Sequence, residues 1–282
     1  MDGMAHRDEL ARRGLLRLPQ AVPSSDAEQM RNRLWQHLRQ TDGALPDRPD
    51  TWPVKAPAHF QSLTRSGAFD AMASPPVLAA IDGILGSQGW RAPERWGRPL
   101  VTFPHQGPWQ LPAGGWHLDS TDRPGDPVLV VFACLAPVRP RGGGTLVVTG
   151  SHRLTGEGGR YTGLRSARVR DRLAADHPWF RDLLTEGEEP GRTARLLGTT
   201  CRIDDVDLAI VELTGGTGDA FVMHPRLLHA VAPNTGDTPR LMLLHFVEPP
   251  EGFGPITPVQ RRNPAAAASA RARSRPRRTP HR

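Results

Sequence analysis

Two histidines and an aspartate stand out in this chain of 282 residues: His117 and Asp119 in the run Trp116-His117-Leu118-Asp119, and His229 far downstream. Residues 111–119 read as a strand, and side chains at i and i+2 of a strand leave the same face. An imidazole and a carboxylate would then emerge side by side. A second imidazole from a distant strand would complete a two-histidine, one-carboxylate face on a metal. That face leaves coordination positions open and is the set non-haem iron(II) uses for oxygen chemistry. Arg240 opens an apolar run, Leu241 to Val247, so its guanidinium would point inward and require an anion there. A planar carboxylate pairs with arginine through two charge-assisted bonds that lysine does not copy. Singly, these residues have ordinary explanations: a hydrogen-bonded strand pair, a core histidine, an ion-paired arginine. The full set is what points to a metal.

Such a face exists only if strands bring 117–119 against 229. From about residue 98, short apolar segments alternate with Gly/Pro turns at 99–104, 111–119, 128–136, 144–149, 206–213, 219–224, 227–232 and 239–247. About eight strands suit a double-sheet jelly roll. The expected fold class is therefore mainly β with flanking helices, around a double-stranded β-helix (jelly-roll, cupin-like) core. Upstream, 14–22 reads as a short strand or extended lead-in. A helix is expected over 26–40, with Ser25 and Glu28 at capping-box spacing, an apolar stripe of Met30, Leu34, Trp35 and Leu38, and Asp42-Gly43 at its end. A second starts at Pro75-Pro76 and closes at Gly86. The charged stretch 155–204 interrupts the strand rhythm and carries helical patches at 166–175 and 177–185. Insertions of this length are usually lids, substrate loops or disordered. The expected organisation is one domain over 1–257, helical to about 97 with the core over about 98–250, then a tail over 258–282.

The net charge of +7 belongs to that tail. Residues 261–282 hold eight arginines and no acid, and removing them leaves the body at −1. An Arg/Ala/Pro-rich tail buries no core and is expected to be disordered; nucleic-acid binding through it is the less favoured reading. Lys55 is the one lysine beside 35 arginines, a bias read as GC-rich genome composition. No apolar run approaches a membrane span. The polar start, Met1 to Leu10, lacks a signal-peptide core, so a cytoplasmic protein is expected. Cys134 and Cys201 are far apart and read as reduced thiols.

The sequence W-H-L-D at 116–119, G-G-G-T-L-V-V-T-G-S-H at 142–152, G-D-A-F-V-M-H-P-R-L-L-H-A-V-A-P-N at 218–234 and P-R at 239–240 resembles the phytanoyl-CoA dioxygenase (PhyH-like) family of Fe(II)- and 2-oxoglutarate-dependent oxygenases. The resemblance covers roughly residues 98–247. It implies a jelly-roll enzyme that uses Fe(II), 2-oxoglutarate and O2, with His117, Asp119 and His229 as iron ligands and Arg240 on the distal carboxylate of 2-oxoglutarate. Family members often have a hydroxyl two residues after the distal histidine. Val231 stands there instead, and Thr145 is the candidate substitute donor. Related halogenases have a small residue where Asp119 stands, so the carboxylate implies oxygenation rather than halogenation.

The implied reaction is hydroxylation of an unactivated C–H of a small molecule, in bacterial secondary-metabolite tailoring, with succinate and CO2 as coproducts. Desaturation, epoxidation or ring formation by the same cofactors, or a jelly-roll metalloenzyme without cosubstrate, are the alternatives. His105, Gln106, Trp109 and Trp116 are candidate substrate contacts, core packing being the ordinary reading of the tryptophans. Arginines at 91, 95, 98, 160, 165 and 168 would imply an anionic substrate if they lined the pocket; a solvated face is the default. His224 is a rival ligand, His152 a turn residue and His245 a core residue. The partner expected is a small-molecule substrate, with no membrane, and the chain as a monomer or weak dimer.

Overall fold

The computed structural model describes residues 3–53, 55–121, 123, 125–185 and 191–250. The tail expected at 258–282 lies outside them. In chain order come α1 (Gly3–Arg13), β1 (Leu15–Leu18), α2 (Ser24–Asp42), α3 (Gln61–Arg65), α4 (Pro75–Leu85), β2 (Arg98–Thr102), β3 (Leu129–Cys134) and β4 (Thr145–Thr149). The insertion contributes α5 (His152–Thr155), α6 (Ser166–Asp176), α7 (Pro178–Leu184), α8 (Arg192–Leu197) and β5 (Cys201–Ile203). The core closes with β6 (Val206–Glu212), β7 (Ala220–Met223), β8 (His229–Val231) and β9 (Arg240–Val247).

The strands form two antiparallel sheets, ordered β1-β7-β3-β9-β2 and β5-β6-β4-β8. This is the expected jelly roll, and strand alternation builds its layers. In β3, Val130, Phe132 and Cys134 face the space between the sheets, where Val147, Met223 and Met242 meet them. Leu129, Val131 and Ala133 face outward against Met30, Leu34 and Leu38 of α2 and Val77 and Ile81 of α4. In β4, Leu146 and Val148 face the other way, onto a third cluster with Val169, Leu173, Phe180 and Leu183. The insertion is thus a packed layer on the outer face of the second sheet, not a loose lid.

Two local expectations are corrected. The segment 111–119 is not a strand: one isolated bridge, His117 to His229, is its sheet pairing. Pro112 brings no N–H, and Gly115 sits at φ 79°, a left-handed conformation that breaks the ladder. The capping box at Ser25 is also unmade, because α2 starts earlier, after Pro23, with no side-chain cap. Its other end behaves as read: Gly43 is left-handed at φ 69° and its N–H returns to the Leu38 carbonyl.

Candidate metal centre

Although 111–119 forms no strand, the bridge keeps the alternation intact where it matters. The His117 N–H donates to the His229 carbonyl at 2.8 Å, and the His229 N–H returns to the His117 carbonyl at 3.1 Å. The Asp119 N–H donates to the Pro225 carbonyl at 2.8 Å. With the backbone held so, His117 and Asp119 share one face with His229, while Trp116 and Leu118 enter the cluster beneath the insertion. Trp116 is fully buried and donates its indole N–H to the Pro112 carbonyl at 2.8 Å. It is a packing residue, and the reading of it as a substrate contact is corrected.

One donor atom from each of His117, Asp119 and His229 lies within 4.8 Å of the others. Asp119 Oδ1 is 3.7 Å from His117 Nε2, and its Oδ2 is 3.3 Å from His229 Nε2. Each imidazole is oriented by its other nitrogen. His117 Nδ1 lies 2.9 Å from the Gly115 carbonyl, and His229 Nδ1 lies 2.9 Å from the Leu227 carbonyl. A carbonyl only accepts, so each Nδ1 carries a proton and each Nε2 is the ring nitrogen turned toward Asp119. The left-handed Gly115 is what turns its carbonyl back toward the ring. Burial, followed by the neighbouring His229, holds the His117 pKa below the ordinary histidine value, and a neutral ring is what a metal requires. The centre opens on one side: the His117 side chain is 46% exposed, against 12% for Asp119 and 6% for His229.

Arg240 is the first residue of β9, paired with Thr102 of β2. It shares a face with Met242, which lies between the sheets. It is buried, and its Nε and Nη1 have no hydrogen-bond partner among the described residues. Burial pulls its pKa down to about 10. Asn234, in the turn from β8 to β9, donates from Nδ2 to the Thr102 and Thr238 carbonyls, each at 2.9 Å, and so fixes where Arg240 begins its strand. Thr145 is buried on the inward face of β4, opposite Val231. Val231 is 50% exposed on the same face as His229.

Other candidates fall elsewhere. His224 is turned away, its ring 5.0 Å from that of His152, and its Nδ1 accepts the Arg226 N–H. His152 opens α5, its Nε2 3.0 Å from the Ala11 carbonyl. His245 stacks on Trp96 at 4.2 Å. His105 and Gln106 are exposed; the His105 N–H donates to the Asn234 carbonyl. Trp109 is half-buried with Arg141 over its ring at 6.0 Å. Arg91, Arg95 and Arg160 are paired with Glu248, Asp70 and Asp176. Cys134 and Cys201 are free. Among the described residues, no helix is long and apolar enough to cross a membrane.

Compared with known families, residues 10–242 match Phytanoyl-CoA dioxygenase (PhyH). The chain belongs to that family. It is a non-haem iron(II)- and 2-oxoglutarate-dependent oxygenase that uses O2. No curated protein matches it. Among solved structures, AviO1 from Streptomyces viridochromogenes Tue57 is similar with a TM-score of 0.52 at 15% identity, over 91% of this chain and 98% of that one. SnoK, a carbocyclase from nogalamycin biosynthesis, gives 0.52 at 16% over 88% and 86%. The nickel complex of the monooxygenase ThoJ gives 0.50 at 16% over 87% and 78%. At these identities the likeness is one of fold.

The residues present fit the family's cofactors. Two imidazoles and a carboxylate suit iron(II) with positions to spare. A buried guanidinium with two unpaired N–H groups is costly alone and is satisfied by a carboxylate. Three residues that matter to this geometry escaped the sequence reading: Ser166, Arg226 and Asn234. Of these, Arg226 and Asn234 lie within the motif at 218–234, and Ser166 lies in none.

Proposed function

We propose that this enzyme hydroxylates an unactivated C–H of a small molecule, in the tailoring of a secondary metabolite. His117, Asp119 and His229 would hold the iron through two Nε2 atoms and a carboxylate. Arg240 would take the far carboxylate of 2-oxoglutarate. When bound, the iron and 2-oxoglutarate supply the oxidising power, leaving succinate and CO2. The chain's own work is to bind, orient and exclude water. Asp119 would place its carboxylate between the two histidines, and the Gly115 and Leu227 carbonyls hold both rings aimed through their Nδ1 hydrogens. Arg240 sets the cosubstrate's reach into the barrel, with Thr145 as a further donor on that inward face. The exposed flank of His117, beside Val231, leaves room for the substrate.

Arg170 supports an anionic group on that substrate. It is half-buried on α6, makes no ion pair or hydrogen bond among the described residues, and its charge bears on His117. His105, Gln106 and Trp109 remain proposed substrate contacts.

The observation that carries the reading is the unpaired Nε and Nη1 of Arg240, buried between the two sheets. The test is anaerobic: Fe(II), then 2-oxoglutarate, is added to apo protein and the visible charge-transfer band of the chelate is recorded. The band is expected in the native protein, weaker in Arg240→Ala at matched 2-oxoglutarate, and absent in His229→Ala. A folded, iron-loaded native protein without the band would overturn the reading in favour of a cosubstrate-free jelly-roll enzyme. Once a substrate is in hand, product mass separates hydroxylation, a gain of one oxygen, from ring formation or desaturation, a loss of two hydrogens.

A further inference from the structure

The metal-facing segment is an edge. His117 spends its N–H and carbonyl on His229, so the alternation of a ladder turns those of Leu118 to the opposite side, where no strand lies among the described residues. One hydroxyl stands there. Ser166 Oγ, at the first residue of α6, accepts the Leu118 N–H at 3.0 Å and donates to the Leu118 carbonyl at 3.1 Å. Leu118 sits between His117 and Asp119, so a single side chain completes the backbone bonding at the midpoint of the pair. Next along, the fully buried Arg226 donates from Nη1 to the Ser120 carbonyl at 2.9 Å. The same guanidinium reaches the Leu164 and Tyr161 carbonyls at 3.3 and 3.2 Å. Thr155 Oγ1 donates to the Arg226 carbonyl at 2.6 Å, tying the base of the insertion to the same turn.

We propose that Ser166, assisted by Arg226, is a positioning residue for the metal centre, the insertion standing in for the missing neighbouring strand and fixing the spacing of His117 and Asp119. The inference rests on the iron reading above. It gives the insertion a role beyond covering apolar surface: without its hydroxyl, the segment keeps one bridge and the Asp119–Pro225 bond, and its two metal-facing side chains lose their fixed spacing. Outer-shell changes of this kind typically weaken metal binding about 10–100-fold.

The experiment uses the full chain and Co(II), whose visible d–d bands report the coordination geometry, with hydrogen exchange as a local readout. Native protein is expected to bind Co(II) and to protect the Leu118 amide. Ser166→Ala is expected to bind Co(II) about 10-fold more weakly with altered bands, to exchange the Leu118 amide faster, and to leave those of His117 and Asp119 protected. Ser166→Thr, which keeps the hydroxyl, is expected to restore both readouts. A Leu118 amide that exchanges in the native protein as an open edge would overturn the proposal, as would native Co(II) affinity in Ser166→Ala. Native protein that binds no metal would instead sink the iron reading on which it rests.

Discussion

His229 stands in β8 with β4 on one side and the 117–119 segment on the other, and its side chain is 6% exposed. His117 stands on a segment with one bridge to the sheet, and its side chain is 46% exposed. The two rings end 4.1 Å apart, each steered by a carbonyl two residues upstream. One half of the centre is therefore built by the sheet. The other half is built by a turn at Gly115, by Pro225 and by the insertion. The sheet half comes with the fold, whereas the edge half can vary in position without unmaking the barrel.

The largest effect should come from deleting either half. His229→Ala and Asp119→Ala are each expected to cut iron-dependent succinate formation by ~1000-fold or more, beyond the usual outer-shell loss. Their thermal melts should differ: His229→Ala opens a cavity within the sheet, whereas Asp119→Ala removes an edge carboxylate and leaves the melt nearly unchanged. Equal destabilisation would show that the edge half carries as much of the fold's stability as the sheet half. Arg240→Met comes next. Loss of the charge pair should cost on the order of 3 kcal/mol in 2-oxoglutarate binding, read as the concentration needed for the charge-transfer band. The apo protein should melt higher than native, because a buried, unpaired guanidinium has been replaced by an apolar chain of similar volume. A lower apo melt would show that Arg240 has partners within the free protein.

The comparison also marks what the sequence could disclose. The jelly roll was legible because its strands are short apolar runs between turns, and seven of the eight expected runs are strands. The exception is the functional one: Pro112 and Gly115 interrupt the ladder, yet alternation over 116–119 still brings His117 and Asp119 to one face. The helix α1 has little signature in the sequence, because it buries Leu10 alone and so carries no apolar stripe. His117, Asp119, His229 and Arg240 were legible by residue type and spacing. Ser166, Arg226 and Asn234 were not, because each works by bonding to the backbone of a segment distant in sequence. Tertiary structure alone sets such bonds, and no periodicity announces them.

A third prediction concerns pH and the turn behind the sheet half. His152 and His224 lie together, with burial pushing their pKa values down to about 4 and about 3. Both are neutral when folded, and the unfolded chain protonates them near the ordinary value of about 6.5. The unfolded state therefore binds more protons below that pH, so stability falls as pH drops from about 6.5 toward the folded values. For His152 alone the loss by pH 5 is about 2 kcal/mol. Denaturant midpoints measured from pH 7 to 5 should fall steadily in the native protein and less steeply in His152→Gln. A midpoint independent of pH over that range would remove both histidines from the stability of this turn.

The smallest expected effect lies at Val231. Val231 lies two residues beyond His229 on the same inward face, is 50% exposed and pairs with Thr145 across β4. Valine and threonine have nearly the same shape and the same preference for strands. Val231→Thr therefore adds a hydroxyl at the mouth of the centre with little change to the sheet. If the cosubstrate carboxylate held by Arg240 reaches this face, the new donor contributes one net hydrogen bond, about 1 kcal/mol. The 2-oxoglutarate concentration that half-saturates the charge-transfer band should then fall about 5-fold, with iron affinity unchanged. If half-saturation does not move, the carboxylate lies out of reach of β8, and Thr145 opposite it loses its case as a cosubstrate donor as well. The sheet half of the centre would then serve iron alone, and cosubstrate specificity would rest wholly on Arg240.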